Sequence, residues 1–169
     1  TEATMYLDQH AIKNPDRAAI IMASTGKTIS FNEFEARANQ LAHVLRNEGL
    51  QRLDHYSIFM ENNEWYLESC AAGERAGSYY TCVNSFLTPE EVAYIVDNCE
   101  ARVLITSAGK RETALAAVAD CPRVTRVLVM DEPGGADDDR VRDYAEAISA
   151  HPSTPIADEQ LGVAMLYSS

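Results

Sequence analysis

Basic residues are scarce in this chain. Fourteen Lys and Arg stand against twenty-six Asp and Glu in 169 residues, a formal net charge of −12. A field of that sign repels phosphate backbones and anionic membranes, which argues against nucleic acid as a partner. Long apolar runs are missing as well. None approaches the ~18 residues that a membrane span needs, so no transmembrane segment is expected. Residues 1–15 carry charge throughout and do not read as a secretory leader. Cysteine is sparse: Cys70, Cys82, Cys99 and Cys121 contain no Cys-x-x-Cys pair. The histidines His10, His43, His55 and His151 form no ligand spacing with them, which argues against a zinc centre. Cys70 and Cys99 fall inside apolar helical patterns, where free cysteine behaves as a small hydrophobe. Reduced thiols and a cytoplasmic location are the expectation.

What is present is an ordinary globular mixture, 46% hydrophobic and 24% charged, long enough to bury a core. Residues 5–14 read as a short amphipathic helix ended by Pro15. The apolar run 18–22, the turn Ser24-Thr25-Gly26-Lys27 and the run 28–31 read as a hairpin. Ser30 stands three residues before Glu33, the spacing of a capping box, and opens a helix to Glu48 that Gly49 ends. Its apolar face is Phe34, Ala38, Leu41, Ala42 and Leu45. Strands are predicted at 56–60, 79–83, 102–106 and 124–130. Between the first pair a helix runs over 64–76, closed by Gly77. Thr88-Pro89-Glu90-Glu91 is a helix start with a hydroxyl cap, proline at the first position and acid in the first turn. A further helix is predicted from a Ser107 cap to Asp120.

Residues 131–139, with Gly134-Gly135, read as a solvated acidic loop, residues 140–149 as a short helix, and residues 163–167 as an apolar strand. Repeated strand–helix–strand units predict an α/β fold with a parallel or mixed sheet flanked by helices. Ligand sites in such sheets lie beyond the carboxyl ends of the strands. The chain therefore stops where a site is expected to begin.

Four segments in this order resemble the adenylate-forming superfamily of acyl- and aryl-CoA synthetases, luciferases and peptide-synthetase adenylation domains. Thr28-Ile-Ser-Phe-Asn-Glu-Phe34 with Ala38-Asn-Gln-Leu-Ala42 and Gly49 looks like the first of them. Leu53-Asp-His-Tyr-Ser-Ile-Phe-Met-Glu-Asn-Asn63 is similar to the strand that follows, with Leu53 where the family usually has glycine. Glu74-Arg-Ala-Gly77, Tyr80-Thr-Cys-Val-Asn84 and Leu87-Thr-Pro-Glu-Glu91 resemble the second motif, with Cys82 where proline is common. Leu166-Tyr-Ser-Ser169 is similar to the first residues of the family's phosphate-binding loop. Asn84, where amino-acid-activating members usually carry Asp, points towards an acyl-CoA (fatty-acid-CoA) ligase.

The resemblance implies the first part of a multi-layer N-terminal domain, truncated at the start of the phosphate loop. It implies a parent that joins a carboxylic acid to ATP, releases pyrophosphate, and passes the acyl group to CoA, with Mg2+ accompanying ATP. Ser168 and Ser169 are the candidate phosphate-contacting residues, since small hydroxyl side chains let backbone amides approach an anion. No catalytic residue and no metal ligand is assigned within residues 1–169. The isolated fragment is expected to be inactive, to bind no cofactor by itself, and to need the remainder of the ligase as partner. A non-catalytic binding module derived from such a ligase, an adenylation domain for amino or aryl acids, and an unrelated nucleotide-binding α/β domain are the alternatives.

Other features have plainer readings. Trp65, Tyr66 and Tyr94 read as core or surface-cover aromatics. Gly109-Lys110 is not a Walker loop, because position 104 is Leu and Arg111 replaces Ser/Thr. Asp137-Asp138-Asp139 is a solvated acidic run rather than a cation site. His43 lies on the apolar side of its helix and reads as packed.

Overall fold

A computed structural model describes residues 8–131 and 138–167. The chain begins with α1 (Asp8–Lys13), then a separate antiparallel hairpin of β1 (Ala18–Ile21) and β2 (Thr28–Ser30). After it come α2 (Phe31–Asn47), β3 (His55–Phe59), α3 (Tyr66–Ala76), β4 (Tyr79–Cys82), α4 (Pro89–Asn98) and β5 (Val103–Ser107). A single 3-10 turn (Ala108–Lys110) leads into α5 (Arg111–Val118). Then follow β6 (Arg126–Met130), β7 (Val141–Asp143), α6 (Tyr144–Ser149) and β8 (Val163–Ala164). The main sheet has six strands in the order β7-β6-β5-β3-β4-β8, and every pairing in it is parallel. The α/β expectation thus resolves to a wholly parallel sheet.

The two faces of the sheet separate by the strand period of two. Tyr56, Ile58, Met60, Val103, Ile105, Leu128 and Met130 point to one side and pack with Leu41, Leu45, Ala72 and Ile148 from α2, α3 and α6. Phe59, Leu104, Val127 and Val129 point to the other, against Val92 and Val96 of α4 and Ala114 and Val118 of α5. Three layers result, helix on sheet on helix, which is what strands apolar on both faces demand.

The end signals read at Ser30, Thr88 and Gly77 are made. Ser30 Oγ accepts from the Glu33 amide while the Glu33 carboxylate accepts from the Ser30 amide at 3.0 Å. Thr88 and Glu91 close the same reciprocal pair, with Pro89 at the first helical position. Gly77 ends α3 in the left-handed conformation at φ 65°. Leu53 takes the same region at φ 69°, where a side chain is strained, and its amide donates to Gly77 O at 2.8 Å. A glycine at this position is what the backbone asks for.

Three elements differ from the sequence reading. The helix expected over 140–149 starts only at Tyr144, because Val141–Asp143 pairs with β6 as an edge strand and Asp143 then caps α6. Ser107 does not cap a helix with its side chain. Its hydroxyl donates instead to Glu61 Oε2 at 2.6 Å, and α5 starts after the 3-10 turn. The strand expected over 163–167 is a ladder at Val163–Ala164 alone, on the sheet edge beside β4. Its apolar residues are not enclosed: Val163 is 55% exposed and Leu166 81%.

Candidate functional site

In a parallel sheet all carboxyl ends face one way, so the loops after β3, β4, β5, β6 and β8 share one rim. On it, Glu61 follows β3 and takes the Ser107 hydroxyl from the end of β5. Thr106 next to it donates to Phe59 O at 2.6 Å, tying the ends of β3 and β5 together. After β4, Asn84 closes its own turn, its Oδ1 accepting from the Phe86 amide at 3.0 Å. Phe86 is left 91% exposed, with the Lys110 ammonium 5.6 Å from its ring centroid. Asn63 Oδ1 accepts from the Trp65 amide at 3.0 Å and starts the chain into α3. The rim therefore offers a carboxylate, an ammonium, an exposed aromatic ring and turns held by their own side chains.

Ser168 and Ser169 lie outside the described residues. The approach to them is described: the Met165 amide donates to Tyr80 O at 2.8 Å, continuing the β4 side of the ladder. Two residues on, the Tyr167 hydroxyl donates to Asn98 Oδ1 at 2.7 Å at the end of α4. Asp137 is also outside the described residues. Asp138 is committed to an ion pair, with Arg140 Nη2 at 2.8 Å and Nε at 3.1 Å. Those hydrogen bonds hold its carboxyl down at about 2. Among the described residues no three acid, histidine or cysteine side chains gather as a metal site.

His43 is packed as read, with Nε2 2.8 Å from Thr154 O and its ring stacked on His151 at 6.1 Å between centroids. Trp65 and Tyr66 are partly buried against the core, and Tyr94 is exposed. No histidine among the described residues hydrogen-bonds a serine or cysteine, so no nucleophile–base dyad is formed there.

Sequence reasoning missed Glu68. It lies on α3 under α2 and α6, wholly buried, with the Tyr144 hydroxyl donating to Oε1 at 2.6 Å and Arg37 Nη2 3.1 Å away. Burial pushes its carboxyl up to about 7, outweighing the opposing pull of Arg37 and Tyr144. It ties α3 to α6 and α2 and is closed off from solvent, so its role is in packing. Position i+2 from Tyr66 on a helix gave no sign of burial. The signal is tertiary, since it depends on α6 arriving from 76 residues away.

Comparison with known proteins agrees with the architecture. The chain is 29% identical over 141 residues to an acetyl-coenzyme A synthetase of Coprinopsis cinerea, covering 76% of this chain and 21% of that one. It is 31% identical over 127 residues to a 3-oxocholest-4-en-26-oate–CoA ligase of Rhodococcus rhodochrous, covering 75% and 22%. The chain thus spans about a fifth of the length of these relatives. Among solved structures, an anthranilate CoA ligase in complex with anthranoyl-AMP superposes with a TM-score of 0.78, at 19% identity over 92% of this chain and 28% of that one. The family described as AMP-binding enzyme matches residues 7–169, and the chain belongs to that adenylate-forming family.

Proposed function

We propose that this chain is the opening portion of the N-terminal domain of an ATP-dependent acyl-CoA synthetase. The parent joins a carboxylate to the α-phosphate of ATP, releasing pyrophosphate, and then transfers the acyl group to the thiol of CoA. The observation that carries the reading is the placement of β8. The strand adds in parallel beside β4, so the chain runs towards Ser168 and Ser169 along the sheet whose carboxyl ends form the rim. Small hydroxyl residues there let backbone amides close on a phosphate oxygen, and the Ser hydroxyls add donors.

The residues described supply framework rather than chemistry. They hold the strand ends in register through Ser107–Glu61 and Thr106–Phe59. Among the described residues no ligand set fits magnesium, which would accompany ATP. The amino-acid-activating alternative is not separated by Asn84, because an Asp Oδ1 would accept from the Phe86 amide just as well.

Carboxylate-dependent ATP–pyrophosphate exchange and CoA thioester formation test the reading, using the full-length protein and a panel of acyl, aryl and amino acids. Exchange and thioester formation with an acyl acid are expected, with no exchange from residues 1–169 alone. Exchange by the short chain, or none by the full-length protein, refutes it. Ser168→Ala and Ser169→Ala should each remove a charge-assisted hydrogen bond of about 1.5–3 kcal/mol, roughly ten- to a hundred-fold in adenylate formation. An unchanged rate and ATP affinity in both variants would remove the serines from the site.

A further inference from the structure

Read along the chain, the cysteines stand apart. The fold brings two of them together. Cys70 lies in the second turn of α3 and Cys82 is the last residue of β4, and their sulfurs are 3.7 Å apart. Both are free thiols and both are partly exposed, whereas Cys99 and Cys121 are buried. An open cavity of about 510 Å3 reaches them, lined also by Leu67, Glu74, Tyr80 and Ala164.

We propose that Cys70 and Cys82 are a thiol-modification site, a dithiol that hydroperoxides convert to a reversible intramolecular disulfide. A disulfide needs its sulfurs at ~2.05 Å, so the pair must close by roughly 1.6 Å. Cys70 is on α3 and Cys82 at the end of β4, so closing the gap calls on rotation of the two side chains.

The two thiols are not equivalent. Hydrogen bonding with Cys70 and from the Tyr66 hydroxyl lowers the Cys82 thiol, while the same contact and burial push Cys70 up. Glu74, the nearby carboxylate, adds to the rise at Cys70. Cys82 is therefore the attacking thiolate and Cys70 the resolving thiol.

In the first step Cys82 sulfur bonds to one oxygen of the hydroperoxide and the O–O bond breaks. The departing alkoxide takes a proton and leaves as alcohol, and Cys82 becomes a sulfenic acid. In the second step Cys70 sulfur attacks Cys82 sulfur, forming the S–S bond. The S–O bond breaks, and hydroxide leaves with the Cys70 proton as water. The two cysteines are oxidised by two electrons in all, and the hydroperoxide is reduced by the same two. Exchange with a small thiol returns both cysteines and leaves that thiol as its own disulfide.

The buried pair provides the internal control. Cys99 donates to Val96 O and touches Ser57 Oγ at 3.2 Å, and Cys121 donates to Ala117 O at 3.3 Å. Neither has a sulfur partner, and burial pushes the Cys121 thiol up to about 11.

The test treats the reduced, purified protein with hydrogen peroxide, blocks residual thiols with N-ethylmaleimide, and maps the peptides by mass spectrometry. Of the four cysteines in this chain, those that alkylate should fall from four to two. A Cys70–Cys82 cross-linked peptide should appear, with Cys99 and Cys121 still alkylated, and dithiothreitol should restore all four. In Cys70→Ser, oxidation should stop at a Cys82 sulfenic acid that dimedone traps. Cys70 and Cys82 that both stay alkylatable under excess peroxide overturn the proposal. So does a loss that yields Cys82 sulfinic acid without the cross-link, or a link that uses Cys99, Cys121 or a second copy of the chain. The wild-type map decides the matter even if the Ser variant fails to fold.

Discussion

Replacing Glu68 by Gln should stabilise the protein in neutral and mildly alkaline solution and flatten its dependence on pH. The folded carboxyl titrates at about 7, against an ordinary value of 4.5 in the unfolded chain. Below pH 4.5 both states hold the proton, and burial of the neutral acid incurs no charge penalty. Between 4.5 and 7 the unfolded chain has released the proton and the folded chain keeps it, so stability falls as pH rises. Above 7 the carboxylate is ionised in both states and the full cost is present. A separation of about two and a half pH units, at ~1.4 kcal/mol each, makes that cost roughly 3.5 kcal/mol. The glutamine oxygen can still accept from Tyr144 and face Arg37, as Glu68 Oε1 does. Arg37 itself stays partly exposed. Urea unfolding of both proteins at a series of pH values from 4 to 8 measures the effect. The difference between them should open across 4.5–7 in favour of the variant. Parallel curves would refute the reasoning, and a variant that loses ground as pH rises would show that the Arg37 ion pair outweighs burial.

Two other substitutions test the backbone. Leu53→Gly should relieve a left-handed strain of ~1–2 kcal/mol while adding ~0.4–1 kcal/mol of unfolded-chain freedom, for a net gain near 0.5–1 kcal/mol. A lower midpoint in urea would count against it. Gly162→Ala should detach the last segment from α3, because a Cβ there would clash with Gly73 O and Ser78 O, backbone atoms that cannot give way. Amide exchange at Gly162 and Val163, which donate to Glu74 O and Ser78 O, should rise sharply, and unchanged protection would refute the fit.

Much of this protein was legible in one dimension. The hydroxyl–acid pairs Ser30/Glu33 and Thr88/Glu91 announce helix starts because both partners of each cap lie within four residues. The strands of the central sheet show as short apolar runs, since burial on both faces leaves no polar side to alternate with. The family resemblance rested on such local segments in a fixed order, and the match over residues 7–169 agrees with it.

What the sequence left open depends on partners remote along the chain. Val141–Asp143 carries two charged residues in three and becomes a strand only because the β6 edge offers it hydrogen bonds. Ser107 has the composition of a cap, but Glu61, 46 residues away, competes for its hydroxyl and wins. Glu68 looks like any surface acid until α6 closes over it. The cysteine pair lay between the two extremes. From Cys70 to Ala76 a helix climbs about 9 Å at 1.5 Å per residue, and from Tyr79 to Cys82 a strand returns about 10 Å at ~3.3 Å per residue. The spacing thus puts both sulfurs at one height, and only the packing of α3 on the sheet decides that they face each other. Local hydrogen bonding and apolar periodicity fixed the elements in this chain, whereas the meeting of polar and reactive side chains was decided by tertiary packing, because no short-range rule records which distant group will be nearest.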